Sequence, residues 1–198
     1  MHTTKILTRR ELAAVLADLR RKANRSRNTR LNLVLFRLAA CTGLRASEIA
    51  QLQIDDVRVE LERPHLRIRR GAAKGGRPRT VPLWWDRGTL EDLLRWKQER
   101  QATDTEPFLV SFLPGRGTLA FSRHTLRKRF RTACKVLGAD RLATLTIHHG
   151  RHTFISHALA GGRTLAEVRD AAGHANVSIT SAYLHVAVED EGVGELFG

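Results

Sequence analysis

The stretch TSAYLHVA holds Tyr183, the one tyrosine of a 198-residue chain. A phenol becomes a nucleophile once it is deprotonated. The residues that could assist it are spread along the sequence. In HHGRH, His148 and Arg151 stand at i, i+3 and share one face of a helix. An imidazole beside a guanidinium suits phosphate: the arginine neutralises a nonbridging oxygen while the histidine bonds or moves a proton. Arg45 in TGLRASEIAQL opens a short helix, where backbone N–H groups and a guanidinium fork both favour an anion. Glu48, one turn on, can orient Arg45; alone, the pair reads equally as a surface salt bridge. His174 follows Gly173, where a helix should end, and so can project from a turn; alone, it reads equally as a solvent-exposed turn histidine. Lys74 lies in the loop GAAKGGRP, whose glycines permit close backbone approach, although a lysine at a hairpin tip is usually just solvated.

Other chemistries fit less well. His148 and His152 have the i, i+4 spacing of metal ligands, but HExxH is absent and no Cys or acid lies at ligand spacing. No GxxxxGK[ST] loop suggests nucleotide hydrolysis. Two arginines, two histidines, a lysine and a late tyrosine therefore describe metal-free, cofactor-free phosphoryl transfer. Without a metal, charge developing on phosphorus must be met by Arg and His. The nucleophile is then the protein's own phenol, and a lysine can protonate the leaving sugar oxygen.

The bulk composition points to the same partner. The formal net charge is +14 and the pI about 11.3. The tail carries Glu189, Asp190, Glu191 and Glu195 and no lysine or arginine, so the rest is more basic still. Such a surplus favours a polyanion through counterion release, or belongs to a generically basic protein. No run approaches the roughly 18 apolar residues of a membrane span, and the N-terminus lacks an apolar signal core. Cys41 and Cys134 lie far apart in apolar helical patterns and read as buried thiols of a reducing compartment.

The elements that must position these groups are mostly helical. Thr8 and Glu11 make a capping box for a helix over 7–23, with Leu7 and Leu12 as a hydrophobic staple. A buried helix is expected over 29–43, stopped at Gly43, and a short third one follows from Arg45. HLRIRR and RTVPL alternate like two strands of a hairpin. Residues 86–101 read as an exposed helix with Leu90, Leu93, Leu94 and Trp96 near one face, and PFLVSF as a short extended piece. A basic amphipathic helix over 122–138 turns Leu126, Phe130, Ala133 and Leu137 inward. Its outer Arg123, Arg127, Lys128 and Arg131 are candidates for phosphate or groove contact, or a solvated face. A helix from 147 ends at Gly161, Thr164 and Glu167 cap the next, and a last helix over 178–187 is expected to carry Tyr183.

In order along the chain, TGLRASEIAQL, KGGRPRTVPL, HHGRHTFISHAL and AGHANVSITSAYLHV resemble the tyrosine recombinase (phage integrase) family, over about residues 7–187. The resemblance implies a mainly α fold with a small antiparallel β-sheet, the catalytic domain of that family. It implies that Tyr183 attacks the scissile phosphate to give a 3′-phosphotyrosyl bond and a free 5′-hydroxyl. Arg45 and Arg151 would hold nonbridging oxygens, His148 assist the proton of Tyr183, His174 bond the phosphate, Lys74 protonate the leaving oxygen and Glu48 support Arg45. Double-stranded DNA would be the partner, with a homo-oligomer, a tetramer on DNA, and possible accessory DNA-bending proteins. The setting would be the cytoplasm of a prokaryote or its mobile elements. The chain departs from the family's usual Asp-Leu at His149 and Gly150. The domain is expected over 1–187, without a separate N-terminal DNA-clamping domain. An acidic tail over 188–198 would follow, with Leu196 and Phe197 docking on a neighbouring protomer or folding back. A DNA-binding relic without activity, or a type IB topoisomerase, would share the same residues.

Overall fold

A computed structural model describes residues 6–72, 77–103, 107–111 and 120–184. Lys74 and the tail from 185 onward lie outside the described residues. The first helix, α1 (Arg9–Ala23), starts as its capping box dictates: the Thr8 hydroxyl accepts the Glu11 N–H at 3.1 Å, and the Glu11 carboxylate accepts the Thr8 N–H at 2.9 Å. Helix α2 (Arg27–Ala40) begins earlier than expected because Ser26 caps it, and Gly43 lies beyond its end at φ 64°. Helix α3 (Ala46–Gln51) follows at once.

Strands β1 (Val57–Arg58), β2 (His65–Ile68) and β3 (Arg79–Pro82) form an antiparallel sheet in that order, with Leu66 opposite Val81 and Ile68 opposite Arg79. The expected hairpin is β2–β3. Strand β1 is too short to alternate, so the sequence gives no sign of it. Leu66, Ile68 and Val81 turn to the core.

Helix α4 (Arg87–Thr103) corrects an expectation: it is not an exposed helix. Its Leu93 and Trp96 are buried, and so are Asp92, Lys97 and Arg100. The charges are tolerated because each is paired. Buried Arg37 of α2 donates to Asp92 at 2.9 Å and to Asp86 at 3.0 Å, and Lys97 donates to the Val57 carbonyl at 2.8 Å. Helix α5 (Arg123–Ala133) buries Leu126, Phe130 and Ala133 and then tightens into a 3-10 turn over Cys134–Leu137. Helix α6 (Ala139–Thr144) buries none of its residues, so no periodicity announces it.

Helices α7 (Ile147–Ala160), α8 (Leu165–Ala172) and α9 (Val177–Ser181) complete the described fold. Tyr183 lies past the end of α9, not inside a helix over 178–187; its N–H bonds back to the Thr180 carbonyl at 3.1 Å. Both departures from the family pattern have local causes. His149 Nδ1 accepts the Thr146 N–H at 2.8 Å, the task an acidic side chain would do in a capping box. A Cβ on Gly150 would stand 3.0 Å from the backbone carbon of Ala39, so the glycine lets α7 lie close on α2. Cys41 and Cys134 are buried free thiols. Among the described residues no helix is long and apolar enough to cross a membrane.

Candidate active site

The candidate residues meet where α3, β3, α7 and the end of α8 converge. Arg45 caps α3 at its N-terminus in an extended conformation. Its Nη1 donates to Glu48 Oε1 at 3.1 Å, and its Nη2 donates to the Gly173 carbonyl at 3.0 Å. Glu48 is fully buried, and it accepts the Arg45 N–H at 2.8 Å as well. Its other partner is Arg79 of β3, which donates Nη1 and Nη2 to the two carboxylate oxygens at 2.8 and 2.9 Å. Burial alone would raise the Glu48 pKa, but the Arg79 bonds and charge, with the Arg45 backbone bond, hold it below the usual carboxylate range.

Arg151 projects from α7 and is nearly buried. It donates Nη1 to the Gly43 carbonyl at 2.7 Å and Nη2 to the Ala172 carbonyl at 2.6 Å. Arg79 Nε donates to the Ala171 carbonyl at 2.9 Å. Three successive carbonyls, of Ala171, Ala172 and Gly173, thus each hold one guanidinium. These belong to the orphan carbonyls at the C-terminus of α8, the negative end of its dipole. Gly173 turns the chain there in the left-handed region at φ 67°, which a glycine adopts without strain.

Two guanidiniums then pair with one carboxylate and a third, that of Arg151, lies within reach of its charge, a local excess of positive charge suited to an anion. Arg151 reports this crowding. Burial first, then the charges of Arg45 and Arg79, push its pKa down to about 9, while Glu48 and Tyr183 pull the other way. His174 is pushed down to about 4, by burial and then by Arg151, Arg45 and Arg79. Its Nδ1 lies 2.8 Å from the Thr180 hydroxyl. A cavity of about 360 Å³ opens beside this cluster, lined by Arg45, Arg123, Arg127, His148, Arg151 and His152. His148 is exposed at its edge, its pKa lowered by partial burial and by Arg127, Arg151 and Arg123. Lys128 and Arg131 are exposed on α5 but do not line the cavity.

Tyr183 is 6% exposed and packs with Trp85, Phe154 and Val168. Its hydroxyl is 2.5 Å from His152 Nδ1, and its ring centroid lies 5.6 Å from His152 and 6.4 Å from His174. Burial raises the phenol pKa, and Arg151 opposes that shift.

Arg45, Glu48, His148, Arg151, His174 and Tyr183 are therefore neighbours around one cluster, with Arg123 and Arg127 on its rim. Read from sequence, two contributors have no part in phosphate chemistry, Arg79 and His152. Arg79 shows only as one arginine in an alternating strand, and His152 only as a metal-ligand partner of His148.

The chain matches the model of the phage integrase family over residues 5–190. It is 31% identical over 187 residues to the tyrosine recombinase XerA of Thermococcus kodakarensis, covering 93% of this chain and 59% of that protein. It is 36% identical over 149 residues to the tyrosine recombinase XerC of Chromobacterium violaceum, covering 75% of this chain and 46% of that one. The chain spans about half the length of the curated relatives it matches. Among solved structures, a XerA recombinase superposes with a TM-score of 0.72 at 22% identity, over 93% of this chain and 63% of that one. A XerH site-specific recombinase bound to palindromic difH substrate, in a post-cleavage complex, gives 0.69 at 24% identity, over 90% of this chain and 48% of that one. Likeness at such identity speaks for the fold.

Proposed function

This chain belongs to the phage integrase family, and on that premise we propose that it cleaves and rejoins DNA strands through a 3′-phosphotyrosyl intermediate on Tyr183. The observation that carries the reading is the arginine cluster: Arg45 and Arg151 open on one cavity, and the phenol of Tyr183 is hydrogen-bonded to His152, which lines that cavity. A phosphodiester drawn into the cavity meets positive charge that is already ordered, which is what lowers a phosphoryl-transfer barrier when no metal acts.

Arg45 and Arg151 bind the nonbridging oxygens. Glu48 and Arg79 hold Arg45 in place. His148 and His174 donate further bonds to the phosphate. Tyr183 forms the bond to phosphorus, the bond to the 5′ oxygen breaks, and Lys74, outside the described residues, supplies the proton to the departing oxygen. Reversal by a 5′-hydroxyl of another strand reseals the DNA without ATP, since one phosphodiester replaces another. Arg123 and Arg127 grip flanking phosphates, with Lys128 and Arg131 further along the same helix. Residues 1–187 form the catalytic unit, the acidic tail docks on a neighbouring protomer, and the working assembly is a homo-oligomer on double-stranded DNA.

The test is a nicked suicide substrate from which the cleaved strand cannot return. The chain is expected to give an adduct that survives SDS, and Tyr183→Phe to abolish it while leaving salt-sensitive DNA binding intact. An adduct that persists in Tyr183→Phe refutes the assignment. Relaxation of plasmid lacking any preferred site would instead favour topoisomerase activity.

A further inference from the structure

The buried phenol poses a problem that the arginines do not solve. An ordinary tyrosine titrates near pH 10, and burial raises Tyr183 further. At neutral pH fewer than about one phenol in a thousand is ionised, so attack needs a base at hydrogen-bond distance. His148 has the sequence position that suggests the task, but the nitrogen found on the phenol belongs to its neighbour one turn on. His152 Nδ1 lies 2.5 Å from the Tyr183 hydroxyl, and the two rings stack with an interplanar angle of 30°. The nearby imidazoles have other engagements: His149 Nδ1 caps α7, and His174 Nδ1 meets the Thr180 hydroxyl. His152 also lines the cavity with Arg45 and Arg151, whereas Tyr183 does not. The imidazole thus touches both the phenol and the cavity where a phosphate would bind.

We propose that His152 is the proton acceptor for Tyr183: its Nδ1 takes the phenol proton as the oxygen attacks DNA phosphorus, and returns it on resealing. This rests on the reading under Proposed function. In the forward step the phenol O–H breaks, the bond from its oxygen to phosphorus forms and the bond from phosphorus to the 5′ oxygen breaks. The phenol proton passes to Nδ1. The leaving oxygen takes a separate proton from an ammonium group or from water. Resealing runs each transfer backwards. Before attack, His152 must be neutral with its own proton on Nε2, leaving Nδ1 to accept. His148, among Arg123, Arg127 and Arg151, is left to bond phosphate.

The test uses the whole chain and two suicide DNAs, one ordinary and one with sulfur in place of the bridging 5′ oxygen. A thiolate leaves without a proton, so sulfur removes the need for a general acid but not for a base. His152→Ala is expected to slow adduct formation about 10²–10⁴-fold on both DNAs. His152→Gln, which can accept a hydrogen bond but not a proton, is expected to be as slow as His152→Ala. Restoration by sulfur would mean that His152 serves the leaving group, and recovery in His152→Gln would mean that it only positions the phenol; either overturns the proposal. So does a loss below tenfold, or a sulfur-insensitive loss at His148→Ala with none at His152→Ala. A second readout needs no DNA and no activity. Nitrogen NMR of the free protein is expected to find His152 Nδ1 unprotonated, and a proton on Nδ1 refutes the assignment. If the wild-type chain forms no adduct on either DNA, the functional reading falls, while the nitrogen measurement still judges the hydrogen bond.

Discussion

Replacing Glu48 by glutamine tests whether the arginine cluster is organised by one buried charge. Glu48 has no solvent exposure and accepts from the Arg45 backbone, the Arg45 guanidinium and both Arg79 terminal nitrogens. Glutamine keeps the shape, but it removes the charge and turns an N–H₂ toward groups that can only donate. Breaking a buried ion pair by removing one partner costs about 3–5 kcal/mol, since the remaining charge is left uncompensated. Here two guanidiniums lose their counter-charge, so the upper half of that range is expected, about 4–5 kcal/mol. For a domain of this size each kcal/mol moves the midpoint by about 2–4 °C, so the melting temperature should fall by about 8–20 °C. The pH dependence separates charge from packing. The folded Glu48 pKa is depressed below its unfolded value of about 4.3. The stability it contributes is therefore fully present above that value and is lost as pH falls through the lower folded pKa. The gap between wild type and Glu48→Gln should be constant from about pH 5 to 8 and narrow below about pH 4. Urea unfolding followed by circular dichroism at several pH values measures both. A cost under about 1 kcal/mol at neutral pH, or a gap unchanged at pH 3, would refute the reasoning.

Gly173→Ala should lose about 1–2 kcal/mol from the left-handed backbone alone, because φ is 67°. A Cβ there would also stand 2.9 Å from the Arg79 guanidinium, so DNA cleavage should fall with stability; an unchanged midpoint in thermal unfolding counts against this. Removing both Arg123 and Arg127 should flatten the dependence of log K on log salt by about 1.8, near 0.9 for each phosphate no longer neutralised, with sequence preference kept. An unaltered slope would take both side chains off the DNA. His174, pushed down to about 4, should stay neutral in the free protein through pH 5, as read by its ring-proton NMR titration. A midpoint near the ordinary 6.5 would mean that neither burial nor the arginines act on it as described.

Local signals were legible in the sequence because the groups that make them are three or four residues apart. Thr8 with Glu11, and Thr164 with Glu167, announce two helix starts that the structure reproduces bond for bond. The alternation of HLRIRR and RTVPL gives β2 and β3 because one face of each strand is buried. The losses are of two kinds. Elements without an apolar pattern, such as β1 and α6, carry no signal at all. Residues whose partners are distant carry a misleading one. Arg79 reaches Glu48 across 31 positions and Ala171 across 92, and nothing beside it in the chain hints at either. The same holds for α4, where buried Lys97 and Asp92 look solvent-facing until Val57 and Arg37 are brought to them. Around the tyrosine, residue types and spacing picked out side chains that the fold brings together, but which histidine touches the phenol depends on a turn folded 31 residues away.

The end of α8 explains why the three arginines differ in what they can do. Long charged side chains lose rotamer freedom when a ligand fixes them. Here the Ala171, Ala172 and Gly173 carbonyls have already fixed them, using acceptors that an isolated helix would leave to water. A guanidinium has five N–H donors. The bonds named among the described residues take two side-chain donors of Arg45 and two of Arg151, but Arg79 commits Nε and both terminal nitrogens. Arg45 and Arg151 line the cavity beside His148 and His152, and Arg79 does not. Arg79 is thus the buttress, committing its donors to Glu48 and α8. Arg45 and Arg151 have side-chain donors left over from these bonds, which on the proposed reading an incoming phosphate would take up. On that reading an anion would relieve the crowding by Arg45 and Arg79 that, after burial, lowers the Arg151 pKa, and the cluster is held ready for it by a helix end and one carboxylate.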